Sequence, residues 1–461
     1  MVFSSNLFLF IFLPIFLGCY YLLPVRGRSA FILAASYSFY GWWRPDFLGL
    51  LVSITVGTYG IALYMDACVS ERRRFRVLSA GVTLNLLALA YFKYANFGVE
   101  SLNTLLQGLG LSPVTFTHVL LPIGLSFYIF HAISYLVDVY RKEAPPARNL
   151  VDFAAFIALF PHLVAGPVLR YHLLAAQFRS RIHSFERFGR GCILFMVGFC
   201  KKVLIADTVA PLADAAFGAS LPSFADAWLG ALAYTVQLFF DFSGYTDMAI
   251  GLALMIGFVF PENFNDPYVS TSITEFWKRW HISLSSWLRE YLYVPLGGNR
   301  KGVARTYINL FLTMLLGGLW HGANWTFVAW GAWHGGILAI ERYGAERWGP
   351  LRWPEWLRIA KTMVLVIVGW VLFRAVDVTA AVRMFKGMLG LQGLGFTPAV
   401  QWQVVPDRLG VLILSIVLIY AMPWLRRHSG AGARYLLIPL FLWAVATLSS
   451  QSFTPFLYFQ F

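Results

Sequence analysis

Long apolar runs follow one another along this chain, and they constrain its fold more than any other feature. Residues 7–23 carry no charge, and comparable runs follow at 29–43, 47–65, 77–94 and 120–140. About 20 apolar residues are needed to cross a bilayer as a helix. Within hydrocarbon a helix satisfies its own backbone hydrogen bonds, and an open sheet does not. Composition agrees: 13% of residues are charged, against about 25% in soluble proteins. The expected fold is therefore an all-α polytopic membrane protein, a single membrane-embedded domain over residues 1–461.

The formal net charge is +14. Basic residues cluster between apolar runs, at Arg26 and Arg28, at Arg72 to Arg76 and at Arg141 to Arg148. The segment from Ala95 to Val119 has none. Counted along the runs, the three basic loops fall on one side. The positive-inside rule makes that side cytoplasmic and puts the N-terminus outside. No basic polar domain is present to bind nucleic acid, so membrane lipids are the expected partners of this charge. Cys19, Cys68, Cys192 and Cys200 are scattered, with no CxxC pair and no metal spacing. The first run lacks a basic n-region, so it reads as a span rather than a signal peptide.

The middle of the chain is less regular. "LFPHLVAGPVLRY" (159–171) breaks a short apolar run with Pro161, Gly166 and Pro167 between basic flanks, so a re-entrant segment is expected. The run 228–260 contains "DFSGYTD", where Asp241, Gly244 and Asp247 suggest a break. Further runs lie near 307–320, 325–340, 359–373, 409–422 and 436–448, giving about eleven spans or half-spans. No internal repeat stands out, which weakens an inverted-repeat transporter reading.

In "STSITEFWKRWHISLSSWLREYLYVPLGGNRK" (270–301), Ser272 and Glu275 have capping-box spacing. Trp277, Trp280, Leu284, Trp287, Leu288 and Tyr291 then recur at three- and four-residue steps, with Lys278, Arg279 and Arg289 off the stripe. This predicts an amphipathic, basic helix lying at the cytoplasmic interface. Pro295, Gly297 and Gly298 end it. His281 falls at the edge of the stripe, as an interfacial contact or as a functional group.

"GGLWHGANWTFVAWGAWHG" (317–335) holds His321 and His334, each between Trp and Gly. Thirteen positions apart, they are offset by about 220° on one continuous helix, which argues against a shared metal. Either ring could instead bond a backbone carbonyl in a bundle. His321 is distinguished by its flanking glycines, which allow close approach of a ligand, and by Asn324 nearby. A neutral imidazole is the natural general base for a hydroxyl. Asp247 reads as a cap at the expected break, and Asp241 is open to a wetted active-site role.

Taken in order, "LPIGLSFYIFHAISYLVDVYR", "FPHLVAGPVLRY", "FFDFSGYTDMAIG", "PENFNDPYVSTSITEFWKRWHISLSSWLREYLYVPLGGN" and the two-histidine stretch resemble the membrane-bound O-acyltransferase (MBOAT) family. Within it they resemble the branch that O-acetylates exported polysaccharide such as alginate, although this chain looks shorter in its C-terminal third. The resemblance implies a helical bundle with interfacial and re-entrant helices around a central tunnel, in a bacterial inner membrane. It implies acyl transfer from a cytoplasmic donor, acetyl-CoA, with no tightly bound cofactor and no metal. It implies a periplasmic serine-type acetyltransferase or acceptor protein and the polysaccharide synthesis and export machinery as partners. The family's WHG histidine maps onto His321 and its RWHxSLS histidine onto His281, with Asn324, His334 and Asp241 in support. Lys201, Lys202, Lys278, Arg279 and Arg289 are candidate contacts for the CoA phosphates, or for lipid headgroups. D-alanyl transfer to a cell-envelope polymer and proton-coupled polysaccharide transport are the alternatives.

Overall fold

In a computed structural model the described part of the chain is predominantly helical. Residues 2–349, 351–428, 433–450 and 456–457 are described, and among them the only β-type pairing is an isolated bridge between Leu391 and Gly393. The multi-pass, all-helical expectation holds. Among the described residues five helices are long and apolar enough to cross a bilayer: α3 (Asp46–Ala67), α4 (Glu71–Gly108), α14 (Val303–His321), α16 (Glu355–Arg374) and α19 (Pro406–His428). Each covers one of the runs expected from sequence.

Residues 1–192 and 249–260 form one compact unit, and residues 193–248 and 261–461 a second. The first holds α1 (Leu13–Leu22), α2 (Arg28–Gly41), α3, α4, α5 (Leu125–Arg141), α6 (Leu150–Ala158), α7 (Phe160–Leu163) and α8 (Tyr171–Arg179). The "LFPHLVAGPVLRY" segment does break, into α6, the four-residue α7 and an extended stretch before α8. Residues 153–169 are all buried, as irregular backbone at membrane depth must be.

At the start of α8, Asp138 of α5 accepts from both the backbone N–H of His172 and its Nδ1, each at 2.9 Å. That hydrogen bond raises the His172 pKa above its ordinary 6.5, against partial desolvation. The folded pKa exceeds the unfolded one, so this clasp stabilises fully below about pH 6.5 and is lost as pH rises through the raised value. We expect wild type to lose stability over that window and His172→Gln to show a flatter profile. Thermal unfolding of the purified protein across pH 6 to 9 measures this, and parallel profiles would refute it.

The second unit contains α10 (Asp207–Gly218), α12 (Ile273–Arg279), α13 (Ile282–Leu288), α14, α15 (Trp325–Trp348), α16, α17 (Val378–Met388), α18 (Pro398–Gln401), α19 and α20 (Ala433–Ser450). Two helices contribute to both units: α9 (Phe185–Cys200) and α11 (Phe224–Met255). The break expected at "DFSGYTD" is absent, because α11 runs unbroken through it. Gly244 serves packing instead. A Cβ there would lie 2.7 Å from the Gly198 carbonyl oxygen, and one on Gly198 would lie 2.3 Å from that of Gly244. The two glycines let α9 and α11 cross with their backbones in contact, and the aspartates flanking Gly244 pair with lysines rather than capping a break.

Candidate active site

The two-histidine stretch folds as a tight helical hairpin. α14 ends at His321, residues 322–324 turn, and α15 begins at Trp325. Gly331 and Gly335 stand four apart on α15. A Cβ on Gly331 would meet the Met314 carbonyl oxygen at 2.6 Å, and one on Gly335 the Phe311 Cα at 3.0 Å. This is the small-xxx-small device by which membrane helices approach closely. The glycines around His321 are spent in the same way. Gly318 abuts the Phe327 backbone, and the space a Cβ on Gly322 would take is filled by the Phe327 ring. They pack the hairpin, a correction to the expectation that they open a path to the ring.

Because the chain turns between them, the 220° offset does not apply. The hairpin brings His321 and His334 onto the same indole. His321 lies edge-on to Trp330 at 5.1 Å between ring centres, and His334 lies edge-on to it at 4.9 Å. His321 also meets Trp320 at 5.0 Å and Phe373 at 5.1 Å. His334 meets Trp277 at 5.2 Å, and its Nε2 faces Gly369 so closely that a Cβ there would come within 2.6 Å. Their accessibility differs: His334 is fully buried, whereas His321 is 6% exposed. Among the described residues neither nitrogen of His334 has a hydrogen-bond partner, so it is not the carbonyl-bonded core histidine that sequence alone allows.

His281 is not on a continuous interfacial helix. It stands between α12 and α13 in the left-handed region (φ 45°), completely buried. The break is stabilised by the preceding loop. Asn265 N–H donates to the Arg279 carbonyl and Ile282 N–H to the Asn263 carbonyl, both at 3.0 Å. The Asn263 side-chain oxygen accepts from the Ser283 N–H (3.1 Å) and hydroxyl (2.8 Å) and lies 3.2 Å from His281 Nδ1. An acceptor facing Nδ1 puts the proton of a neutral ring there and leaves Nε2 as its basic nitrogen. The ring packs edge-on to Phe242 at 4.7 Å. The start of the helix is as expected: Ser272 accepts from Glu275 N–H. Glu275, however, reaches the Thr271 N–H (2.8 Å) and not that of Ser272.

Asn324 caps α15, accepting from Thr326 N–H (3.1 Å) and donating to the Val376 carbonyl (2.8 Å). Its amide is thus committed to structure, a correction to its expected role beside a substrate. Asp241 is buried. Its Oδ1 lies 2.7 Å from Lys202 Nζ, and its Oδ2 accepts from Leu457 N–H at 3.0 Å. Lys202, 2% exposed, also donates to Asp207 at 2.6 Å. Lys201 pairs with Asp247 at 2.6 Å and Arg279 with Glu275 at 2.7 Å. Lys202 is therefore inaccessible to a CoA phosphate, and Lys201 and Arg279 are already neutralised. Lys278 and Arg289 are exposed.

Sequence reasoning passed over Asn263, Asp207 and the aromatic wall of Trp277, Trp330 and Phe373. The opposite charges of Lys202 and Asp207 in one apolar run were the available signal, since intramembrane charges pair. It also passed over a second histidine pair, in the first unit. His131 and His162 are fully buried with ring centres 4.5 Å apart. His131 Nε2 accepts from Leu169 N–H at 3.2 Å, and His162 Nε2 lies 3.0 Å from the Phe156 carbonyl.

The family model described as "MBOAT, membrane-bound O-acyltransferase family" matches residues 78–373. The chain is 52% identical to the probable alginate O-acetylase AlgI of Azotobacter vinelandii, and 51% identical to the protein of that name in Pseudomonas putida. Both alignments cover all of each chain. It is 36% identical to the peptidoglycan O-acetyltransferase of Helicobacter pylori, over 86% of this chain and 81% of the relative. The first alignment runs to 505 positions against 461 residues, in keeping with the shorter chain expected from sequence.

Proposed function

Since the chain belongs to the membrane-bound O-acyltransferase family, we propose that it acetylates an exported polysaccharide, with acetyl-CoA as donor and His321 as general base. The chain is a multi-pass membrane O-acyltransferase. The full-length similarity to acetylases favours acetyl over D-alanyl as the group moved, and an enzyme over a transporter. The observation that carries the catalytic assignment is His321 itself. It is a histidine at the last position of an apolar helix, walled by Trp320, Trp330 and Phe373 yet not fully closed.

The acceptor hydroxyl attacks the thioester carbonyl while His321 takes its proton. The carbon–sulfur bond breaks, the acetyl ester forms, and the proton passes to the departing thiolate, releasing free CoA thiol. Indole and phenyl faces exclude water that would hydrolyse the thioester. In this reading Lys278 and Arg289, both exposed, meet the CoA phosphates.

Sidedness follows from charge. Arg300, Lys301 and Arg305 crowd the start of α14, Arg342 and Arg347 the end of α15, Arg352, Arg358 and Lys361 the start of α16, and Arg426 and Arg427 the end of α19. By the positive-inside rule these ends face the cytoplasm. His321 and the α16–α19 connection then lie toward the periplasm, as does the N-terminus, in a bacterial inner membrane. A periplasmic serine-type acetyltransferase or acceptor protein would pass the group onward, beside the synthesis and export machinery.

Purified protein in liposomes with acetyl-CoA, the periplasmic acceptor protein and alginate oligomers should release CoA thiol in step with ester formation. A D-alanyl transferase would show neither product, and a transporter would move oligomer without releasing thiol. Either result would overturn the reading.

A further inference from the structure

Away from the histidines, the second unit holds a cavity of about 500 Å³ where the end of α10 meets the α16–α19 connection. Asp214, Gly218, Ala219, Ala399, Trp402 and Gln403 are among its lining residues. It is an open groove rather than an enclosed cavity.

The cavity is preformed. Buried Val400 packs with Ala216 and Ala219, fixing α18 to the end of α10. Upstream, Thr397 donates from its backbone N–H and its hydroxyl to the Asp226 carboxylate, the hydroxyl at 2.7 Å. Phe224 and Ala225 N–H donate to the Gly393 and Leu394 carbonyls. Trp228 Nε1 donates to the Met388 carbonyl at 3.1 Å. The connection is thereby stapled to the start of α11 and holds its shape without a ligand.

The lining combines an aromatic face, small apolar residues and polar groups. Trp402 is 68% exposed, whereas most of the tryptophans around the histidines are buried. Ala219, Ala399 and Gly218 leave a shallow floor over which a flat ring can lie. Asp214 is held through Oδ1 by Arg374 at 2.7 Å. The Arg374 guanidinium is itself seated over the rings of Phe217 (5.7 Å) and Tyr234 (5.9 Å). The carboxylate is thus held in one orientation. The Gln403 side-chain oxygen is likewise fixed by Arg408. A pyranose has the complementary form: C–H faces that stack on an indole, and hydroxyls at its rim that bond carboxylate and amide.

We propose that this cavity binds a sugar unit of the acceptor polysaccharide, with Trp402 stacking on the ring and Asp214 and Gln403 bonding its hydroxyls. The proposal rests on the polysaccharide-acetylation reading and on the sidedness given above, which puts the cavity on the face where exported polymer passes. It gives the protein its own hold on the polymer, separate from the acetyl-transfer site.

The test is calorimetric titration of the full-length protein in detergent with alginate hexamer and, as a neutral probe, cellohexaose. Wild type should bind at least one of the two, Trp402→Ala should weaken that binding about tenfold or more, and Trp402→Phe should restore part of it. Wild-type binding that Trp402→Ala leaves unchanged would overturn the proposal and assign Trp402 to the aromatic belt at the headgroups, as would failure of wild type to bind either probe. If acetyl transfer occurs without dependence on Trp402, only the cavity proposal falls. If Trp402-dependent binding occurs with no acetyl transfer, the catalytic reading falls and the cavity stands.

Discussion

His321→Ala should fold and reach the membrane in normal amount but release CoA thiol from acetyl-CoA about 10²–10⁴-fold more slowly, the range general-base help supplies. The ring is held by aromatic edges from Trp320, Trp330 and Phe373. Truncating it removes packing area on one side of a wall that Trp330, Trp370 and Phe276 continue without it. His321→Gln is the sharper variant. It keeps a polar side chain of similar reach but has no basic nitrogen, so it should be as slow as Ala with less effect on thermal stability. His334→Ala provides the contrast. It empties a closed site between Trp277, Trp330 and Gly369, so its first effect should be on stability. Turnover of His321→Gln at the wild-type rate would remove the base from this residue and leave His281 as the candidate.

How much of this was readable without coordinates depends on the period of the signal. Apolar runs of helix length mark their own elements, and α3, α14, α16 and α19 lie where the runs placed them. Breaks were not legible, because what stabilises a break is remote. His281 interrupts a well-formed amphipathic stripe because Asn263 and Asn265, some eighteen residues earlier, take up its backbone and side-chain hydrogen bonds. "DFSGYTD" has the composition of a break yet stays helical, since Lys201 and Lys202 supply the charges its aspartates need. Glycine has the same ambiguity. At Gly322 its place beside His321 suggests access for a ligand, and in the fold it is contact with Phe327. The family motif points to His321 as a residue to test, and only the hairpin shows that His334 shares its indole.

The largest stability loss should come from Lys202→Met. Among the described residues Lys202 is the only cation paired with the buried Asp241, and it also pairs with Asp207. Its ammonium lies 4.8 Å from the centre of the Phe456 ring. Removing it leaves two carboxylates facing each other in an apolar core, and breaking a buried pair this way costs about 3–5 kcal/mol. That is a large share of the stability of an ordinary domain, so little folded protein should be recovered. Asp241→Asn should be milder, because Lys202 keeps Asp207 and an amide oxygen can still accept from Leu457 N–H. The decisive variant combines Lys202→Met with Asp207→Asn and Asp241→Asn. It removes every charge from the cluster at nearly constant volume, and replacing a buried ionic cluster by neutral groups of similar size is often neutral or stabilising. Thermal unfolding in detergent should therefore order the proteins as wild type near the triple variant, then Asp241→Asn, then Lys202→Met. A triple variant as unstable as Lys202→Met would mean that the lysine's packing, not its charge, holds this part of the fold together. A stable triple variant without CoA-thiol release would assign the cluster to catalysis and reopen the active-site role that the sequence left to Asp241.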